Sequence, residues 1–189
     1  MQGLIAALRL DGQGGGVDLS ATEAERPLAA VAPAGAAPGV EWIHMDYTDP
    51  GTVAWLRERS GVDPVVADAL VAEETRPRSA PLGDGLLVVL RGVNLNPGAE
   101  PDDMVSLRIW SDGRRVLSLR KRRLLSVDDV RGAIAAGVGP RDAAELVRDL
   151  GAGRILVGRH VVRVAELVRE PVLARFLLDH LLGFLHREV

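Results

Sequence analysis

Five consecutive apolar residues, 86–90, stand between the turn signal Gly83-Asp84-Gly85 and the pair Arg91-Gly92. A Leu- and Val-rich run this short, unbroken by polar residues, reads as a strand buried on both faces in the middle of a sheet. Such a strand needs covering layers above and below, which confines the chain to layered architectures. The 189 residues can supply them, since a chain of this length buries roughly 70% of the surface its unfolded form exposes. Hydrophobic residues make up 47% and charged residues 26%, a globular and not a disordered balance. The net charge of −3 disfavours a nucleic-acid surface, which needs a basic excess. With no cysteine, the chain has no disulfide, no thiolate zinc site and no cysteine nucleophile.

Around that strand the pattern alternates between period two and period 3.6. Residues 4–10 read as a first strand, followed by a glycine turn at 12–16 and a short partner at 17–19. Residues 27–40 are nearly all Ala, Pro and Gly and read as a flexible loop. Residues 41–47 form the next predicted strand, with Ile43, Met45 and Tyr47 on one face and Trp42, His44 and Asp46 on the other. Asp49-Pro50 and Asp63-Pro64 each place a capping carboxylate before a proline at the first helical position, which predicts two short helices. After residues 86–95, segment 104–110 alternates Val105, Leu107 and Ile109 with Ser106 and Arg108, and Asp112-Gly113 predicts a two-residue hairpin into 115–120. From Ser126 the period is helical. Ser126 and Asp129 resemble a capping box, Val127, Val130 and Ile134 share a face, and Ala143, Leu146, Val147 and Leu150 mark another helix. Two further helical patterns, at 161–169 and 172–187, finish the chain around Pro171. Strands and helices in this order predict an α+β or mixed α/β layered domain over residues 1–150, with a helical tail at 151–189. The apolar stretch 172–185 contains Arg175, Asp179 and His180, so it does not read as a membrane span. The N-terminus does not read as a signal peptide.

Four blocks, in order, carry a family resemblance: Trp42-Ile43-His44-Met45-Asp46-Tyr47-Thr48-Asp49, the run 75–96, Pro101-Asp102-Asp103-Met104-Val105-Ser106-Leu107-Arg108, and Ser118-Leu119-Arg120-Lys121-Arg122. From about residue 41 to about residue 145 the chain resembles the cytosolic domain of the CorA-like divalent cation transporters, and within them the ZntB zinc branch. The resemblance implies an α/β/α layered cytosolic domain with a mixed, largely antiparallel sheet and C-terminal helices. It further implies assembly as a homopentamer, a cytoplasmic setting at the inner face of the membrane, and Zn²⁺ or Mg²⁺ as transported or regulatory ion rather than a tightly bound cofactor. In the family a long stalk helix leads to two membrane helices and a Gly-Met-Asn motif. Here no Gly-Met-Asn occurs, and Gly151, Gly153, Gly158 and Pro171 interrupt the region where the stalk is expected. Membrane attachment would then come only through segments this chain lacks. A truncated paralogue, a degraded gene and an altered reading frame each account for that, as does a standalone soluble adaptor joining a full-length relative.

The resemblance implies cation sensing by carboxylates between subunits, because hard cations prefer oxygen ligands. The candidate metal ligands are Asp102, Asp103, Asp128 and Asp129, with Glu73 and Glu74 behind them, and His44 with Asp46 as a two-ligand fragment. Each has a simpler reading. Asp102 and Asp103 follow Pro101 in a turn, Asp128 and Asp129 complement a helix N-terminus, and a buried His44 can satisfy itself on a neighbour. His180 and His186, six residues apart, lie on different helix faces. Arg76, Arg78, Arg91 and Asn94 flank the buried strand and are expected to fix packing or a subunit contact. The basic run from Arg120 to Arg123, with Arg114 and Arg115 at the other end of the same strand, reads as a solvated strand end, with anionic lipid or nucleic acid as the alternative; the lack of aromatic stacking platforms around it disfavours RNA. Ser118, Ser126 and the histidines form no recognisable nucleophile constellation, so the expected class is transport and not catalysis.

Overall fold

A computed structural model describes residues 1–31, 39–73, 76–94, 96–100 and 104–152. Along them run β1 (Leu4–Leu10), β2 (Gly16–Asp18), α1 (Ala21–Glu25), a single 3-10 turn (Leu28–Ala30), β3 (Glu41–Asp46), α2 (Pro50–Glu58) and α3 (Pro64–Val71). Then follow β4 (Arg78–Leu82), β5 (Gly85–Val93), β6 (Met104–Ser111), β7 (Arg115–Arg120), α4 (Leu125–Ala135) and α5 (Ala143–Ala152). The helical patterns expected beyond residue 152 lie outside the described residues.

The seven strands form one sheet in the order β2-β1-β3-β7-β6-β5-β4. β3 and β7 run parallel, and every other described pairing is antiparallel. Helices cover both faces, giving the expected α/β/α sandwich. On one face Leu86, Val88 and Leu90 join Trp42, Leu107 and Ile109 under Val127, Val130 and Ile134 of α4 and Leu146 and Leu150 of α5. On the other, Leu87 and Val89 join Ile43, Met45, Leu117 and Leu119 under Trp55 and Leu56 of α2 and Val66 and Leu70 of α3. The alternation of β5 between two cores is what makes its apolar run continuous.

β5 is buried on both faces as expected, but it lies next to the edge, and the middle strand is β7. The edge strand is β4, which the sequence pattern hides because it contains Pro81. Proline lacks a ladder donor and is tolerated where one side of the strand pairs with nothing, which is where β4 sits. β4 returns into β5 through Gly83-Asp84, with Leu82 opposite Gly85. Gly83 adopts φ +59°, as the first central position of a II′ hairpin requires.

The Asp112-Gly113 connection differs from expectation. Ser111 pairs with Val116, so four residues intervene rather than two. Asp112 keeps negative φ, which excludes the I′ turn. Its carboxylate instead accepts the backbone N–H groups of Arg114 and Arg115 at 2.9 and 3.0 Å. The Asp49 and Asp63 caps form as predicted, accepting from Thr52 N and Val65 N. Ser126 is not a cap: α4 is capped at Leu124 without a side-chain bond, and Ser126 is buried inside the first turn. The capping box is at Ser20 and Glu23, on α1. Within the Ala/Pro/Gly stretch, Leu28 and Val31 are buried in the core under α2 and α3, and Leu28 N–H donates to Ser60 O.

A charge cluster lies inside this framework. Glu41 and Arg115 face each other in the parallel β3–β7 pair and are 2% and 1% exposed. Arg115 Nε and Nη2 donate to Glu41 Oε2 at 3.1 and 2.6 Å, and Nη1 donates to Arg26 O at 2.8 Å. Glu41 Oε1 accepts from Arg26 and from Arg9, the latter at 3.3 Å. Burial pulls the Arg115 guanidinium below its ordinary range, and Glu41 opposes that pull. Removing one partner of a buried pair leaves the other desolvated. Arg115→Met is therefore expected to destabilise by about 3–5 kcal/mol in urea unfolding, whereas Arg57→Ala, which breaks the exposed pair with Asp68, should stay within about 0.5 kcal/mol. Equal effects from the two variants would refute this assignment.

Candidate functional site

The strand end that follows β3 carries most of the expected ligands. His44 is fully buried on the α4 side of the sheet. In the parallel register it faces Ser118, whose Oγ lies 2.8 Å from His44 Nδ1 and accepts the Trp42 indole N–H at 2.7 Å. The arrangement that uses both hydroxyl functions has Ser118 donating to Nδ1, which places the imidazole proton on Nε2. No described acceptor meets that nitrogen. Burial, with a secondary push from Arg120, drives the His44 pKa down to about 3. His44 is thus a neutral core histidine.

Asp46 is turned to local structure. Its Oδ1 accepts from Thr48 N and Thr48 Oγ1 at 2.8 and 2.6 Å, closing the turn into α2. Asp128 Oδ2 accepts from Arg123 Nε at 2.7 Å. Asp129 is exposed at the start of α4. Arg120 couples electrostatically to both Asp46 and Asp128, and burial pulls its own pKa down. Positive charge from Arg120 thus already acts on both carboxylates. Among the described residues, no three His, Asp or Glu side chains converge as a metal centre. Asp102, Asp103 and Glu74 lie outside the described residues, and Glu73 is exposed.

The residues flanking the buried strand separate in space. Arg78 sits in the edge strand opposite Val89. Arg91 is exposed and lies opposite Ser106. Arg76 is exposed and bonded within the chain. Asn94 Oδ1 accepts from Asn96 N at 3.1 Å, and Asn96 reaches on to Arg123 O at 2.9 Å, which ties the end of β5 to the end of β7.

Two buried groups escaped sequence reasoning. Glu41 was read only as the start of a strand. Arg108, placed on the polar side of an alternating strand, is fully buried, stacks 3.8 Å from the centroid of the Tyr47 ring and donates to Ala72 O. The signal for Arg108 was in the pattern: the same face carries Trp110, an aromatic unsuited to solvent.

The described residues form a layered α/β domain built around a parallel β3–β7 seam, and among them no helix is long and apolar enough to cross a membrane. The CorA-like Mg2+ transporter protein family matches residues 38–162, more than half of the chain, and the chain belongs to that family. It is 53% identical over 107 residues to the divalent cation transporter CmaX of Pseudomonas aeruginosa, covering 56% of this chain and 32% of that protein. It is 34% identical over 142 residues to the zinc transport protein ZntB of Yersinia enterocolitica, covering 74% of this chain and 39% of the relative. The solved ZntB cytoplasmic domain of Vibrio parahaemolyticus superposes with TM-score 0.65 at 28% identity, over 79% of this chain and 57% of that one. The matched region thus spans 32% and 39% of the length of these two relatives, and the fold is that of the ZntB cytoplasmic domain.

The buried His44 has a consequence for acid stability. Its pKa is about 6.5 unfolded and about 3 folded, so the unfolded chain binds the extra proton between those values. Stability from this group is complete above pH 6.5 and is lost as pH falls toward 3, on the order of a few kcal/mol. Urea midpoints of the wild type should drop more steeply than those of His44→Gln between pH 6.5 and 4. Parallel pH profiles would show that His44 is not buried neutral.

Proposed function

We propose that this chain is the cytosolic module of a CorA/ZntB-like divalent cation transporter, acting in subunit assembly and in sensing Zn²⁺ or Mg²⁺. The observation that carries the reading is the α/β/α sandwich shared with a ZntB cytoplasmic domain. The module sits on the cytoplasmic side of the membrane and forms a homo-oligomer, with the pentamer as its expected order. Its role is in transport and regulation, not catalysis.

Sensing falls to carboxylates at subunit boundaries. Within one chain Asp46 accepts from Thr48 and Asp128 from Arg123, so the cation is assigned to the exposed Asp129 together with Asp102 and Asp103. A hard cation bridging two subunits needs several oxygens, and two copies can each contribute a pair.

Oligomer mass measured by light scattering, with and without Zn²⁺ or Mg²⁺, tests both parts. The expected outcome is an assembly that shifts in mass or stability with metal, and a shift lost in Asp102→Asn/Asp103→Asn/Asp129→Asn. A monomer at every concentration would reject assembly, and a metal-independent oligomer would reject sensing.

A further inference from the structure

At the end of the sheet, beyond the reach of α2 and α3, lies a half-open groove of about 130 Å³ lined by Tyr47, Arg91, Met104, Val105, Ser106, Lys121 and Arg122. The strand registers explain its composition. Arg91 pairs with Ser106 across β5 and β6, and Leu107 pairs with Arg120 across β6 and β7, so the next step places Lys121 beside Ser106. Alternation puts Arg91 on the face of Leu87 and Val89, Ser106 on that of Arg108 and Trp110, and Lys121 on that of Leu117 and Leu119. Tyr47 continues the same face from Ile43 and Met45. Two exposed cations and two hydroxyl-bearing side chains therefore stand in one row on the α2/α3 side of the sheet.

Among the described residues the row has no counter-charge. No Asp or Glu lines the groove. Arg91 and Lys121 make no ion pair with a described residue. Arg122 has an interaction of its own and is not needed. Behind Tyr47, one pleat from Ser106, the fully buried Arg108 keeps Nε and Nη1 without a hydrogen-bond acceptor. Its guanidinium stacks on the Tyr47 ring. A buried cation without a carboxylate partner raises the positive potential at the groove it backs, and a low-dielectric wall screens it less than water would.

We propose that this groove is an oxyanion site that takes a phosphate group, with Arg91 as a two-pronged donor, Lys121 as a point charge, and the Ser106 and Tyr47 hydroxyls as neutral donors. The phosphate comes from a soluble phosphate compound or from an anionic lipid headgroup, which share this chemistry. The site shares no residue with the proposed cation-sensing carboxylates, so either reading can fail without the other.

An amide NMR titration of the 189-residue chain with inorganic phosphate at low ionic strength tests the proposal. Saturable shifts are expected at Tyr47, Arg91, Ser106 and Lys121, absent with chloride at matched ionic strength. Arg91→Gln and Lys121→Gln should each weaken binding severalfold, and the double variant about tenfold or more, with an unchanged melting temperature because both side chains are exposed. The Asp102→Asn/Asp103→Asn variant, which alters the carboxylates just before Met104, should bind at least as tightly. Flotation with vesicles containing phosphatidylglycerol, competed by phosphate, would assign the lipid source; phosphate binding without flotation would assign the soluble one. Absence of both, shifts insensitive to Arg91→Gln/Lys121→Gln, or binding seen only after Asp102 and Asp103 are changed would overturn the proposal.

Discussion

The parallel pairing of β3 with β7 is held in register by the buried Glu41–Arg115 ion pair, and the rest of the sandwich depends on that register. β3 carries the N-terminal strands β1 and β2, while β7 carries the antiparallel run β6, β5 and β4. The seam between these halves is parallel, without a tight turn to fix its alignment. A slip of one residue would turn every side chain of β3 to the opposite face. Glu41 would then enter the apolar layer beneath α4 and α5, leaving Arg115 and Arg26 without their carboxylate. The pair contributes through the penalty on every other arrangement more than through net attraction, since desolvation offsets much of the Coulomb gain.

The same economy of charge shapes the candidate ligands. His44 and Asp46 lie two residues apart on a strand face, a spacing that sequence alone reads as a fragment of a metal site. In the fold, His44 turns to Ser118 and Asp46 to Thr48. Arg120 couples electrostatically to both Asp46 and Asp128. Near Tyr47, the buried Arg108 guanidinium keeps two of its nitrogens without a hydrogen-bond partner among the described residues.

Much of the fold was legible in the chain because its local signals agree with its tertiary environment. Asp49-Pro50 and Asp63-Pro64 start helices by capping and proline geometry that act within a few residues. The stripe of Ala143, Leu146, Val147 and Leu150 predicts both helix and buried face. The misreadings fall where distant partners decide. β4 is a strand despite Pro81 because β5 provides one paired edge and nothing occupies the other. Asp112-Gly113 looks like a two-residue hairpin, yet the strand ends that Arg115 and Glu41 pin together leave a four-residue loop. Ser126 matches a capping pattern, but Val127 beside it must reach the core, and the helix starts earlier.

Sequence by itself determined the layered class, the family, the two-sided burial of residues 86–90 and the starts of α2 and α3, since all of these rest on patterns spanning a few residues or on ordered motifs. Only the tertiary structure decided which charges are buried, which carboxylates are already neutralised by guanidinium groups, and which cations stand in a row without partners. Those outcomes depend on strand register across residues up to 74 positions apart, as between Glu41 and Arg115. The balance of desolvation against pairing there has no signature in local sequence.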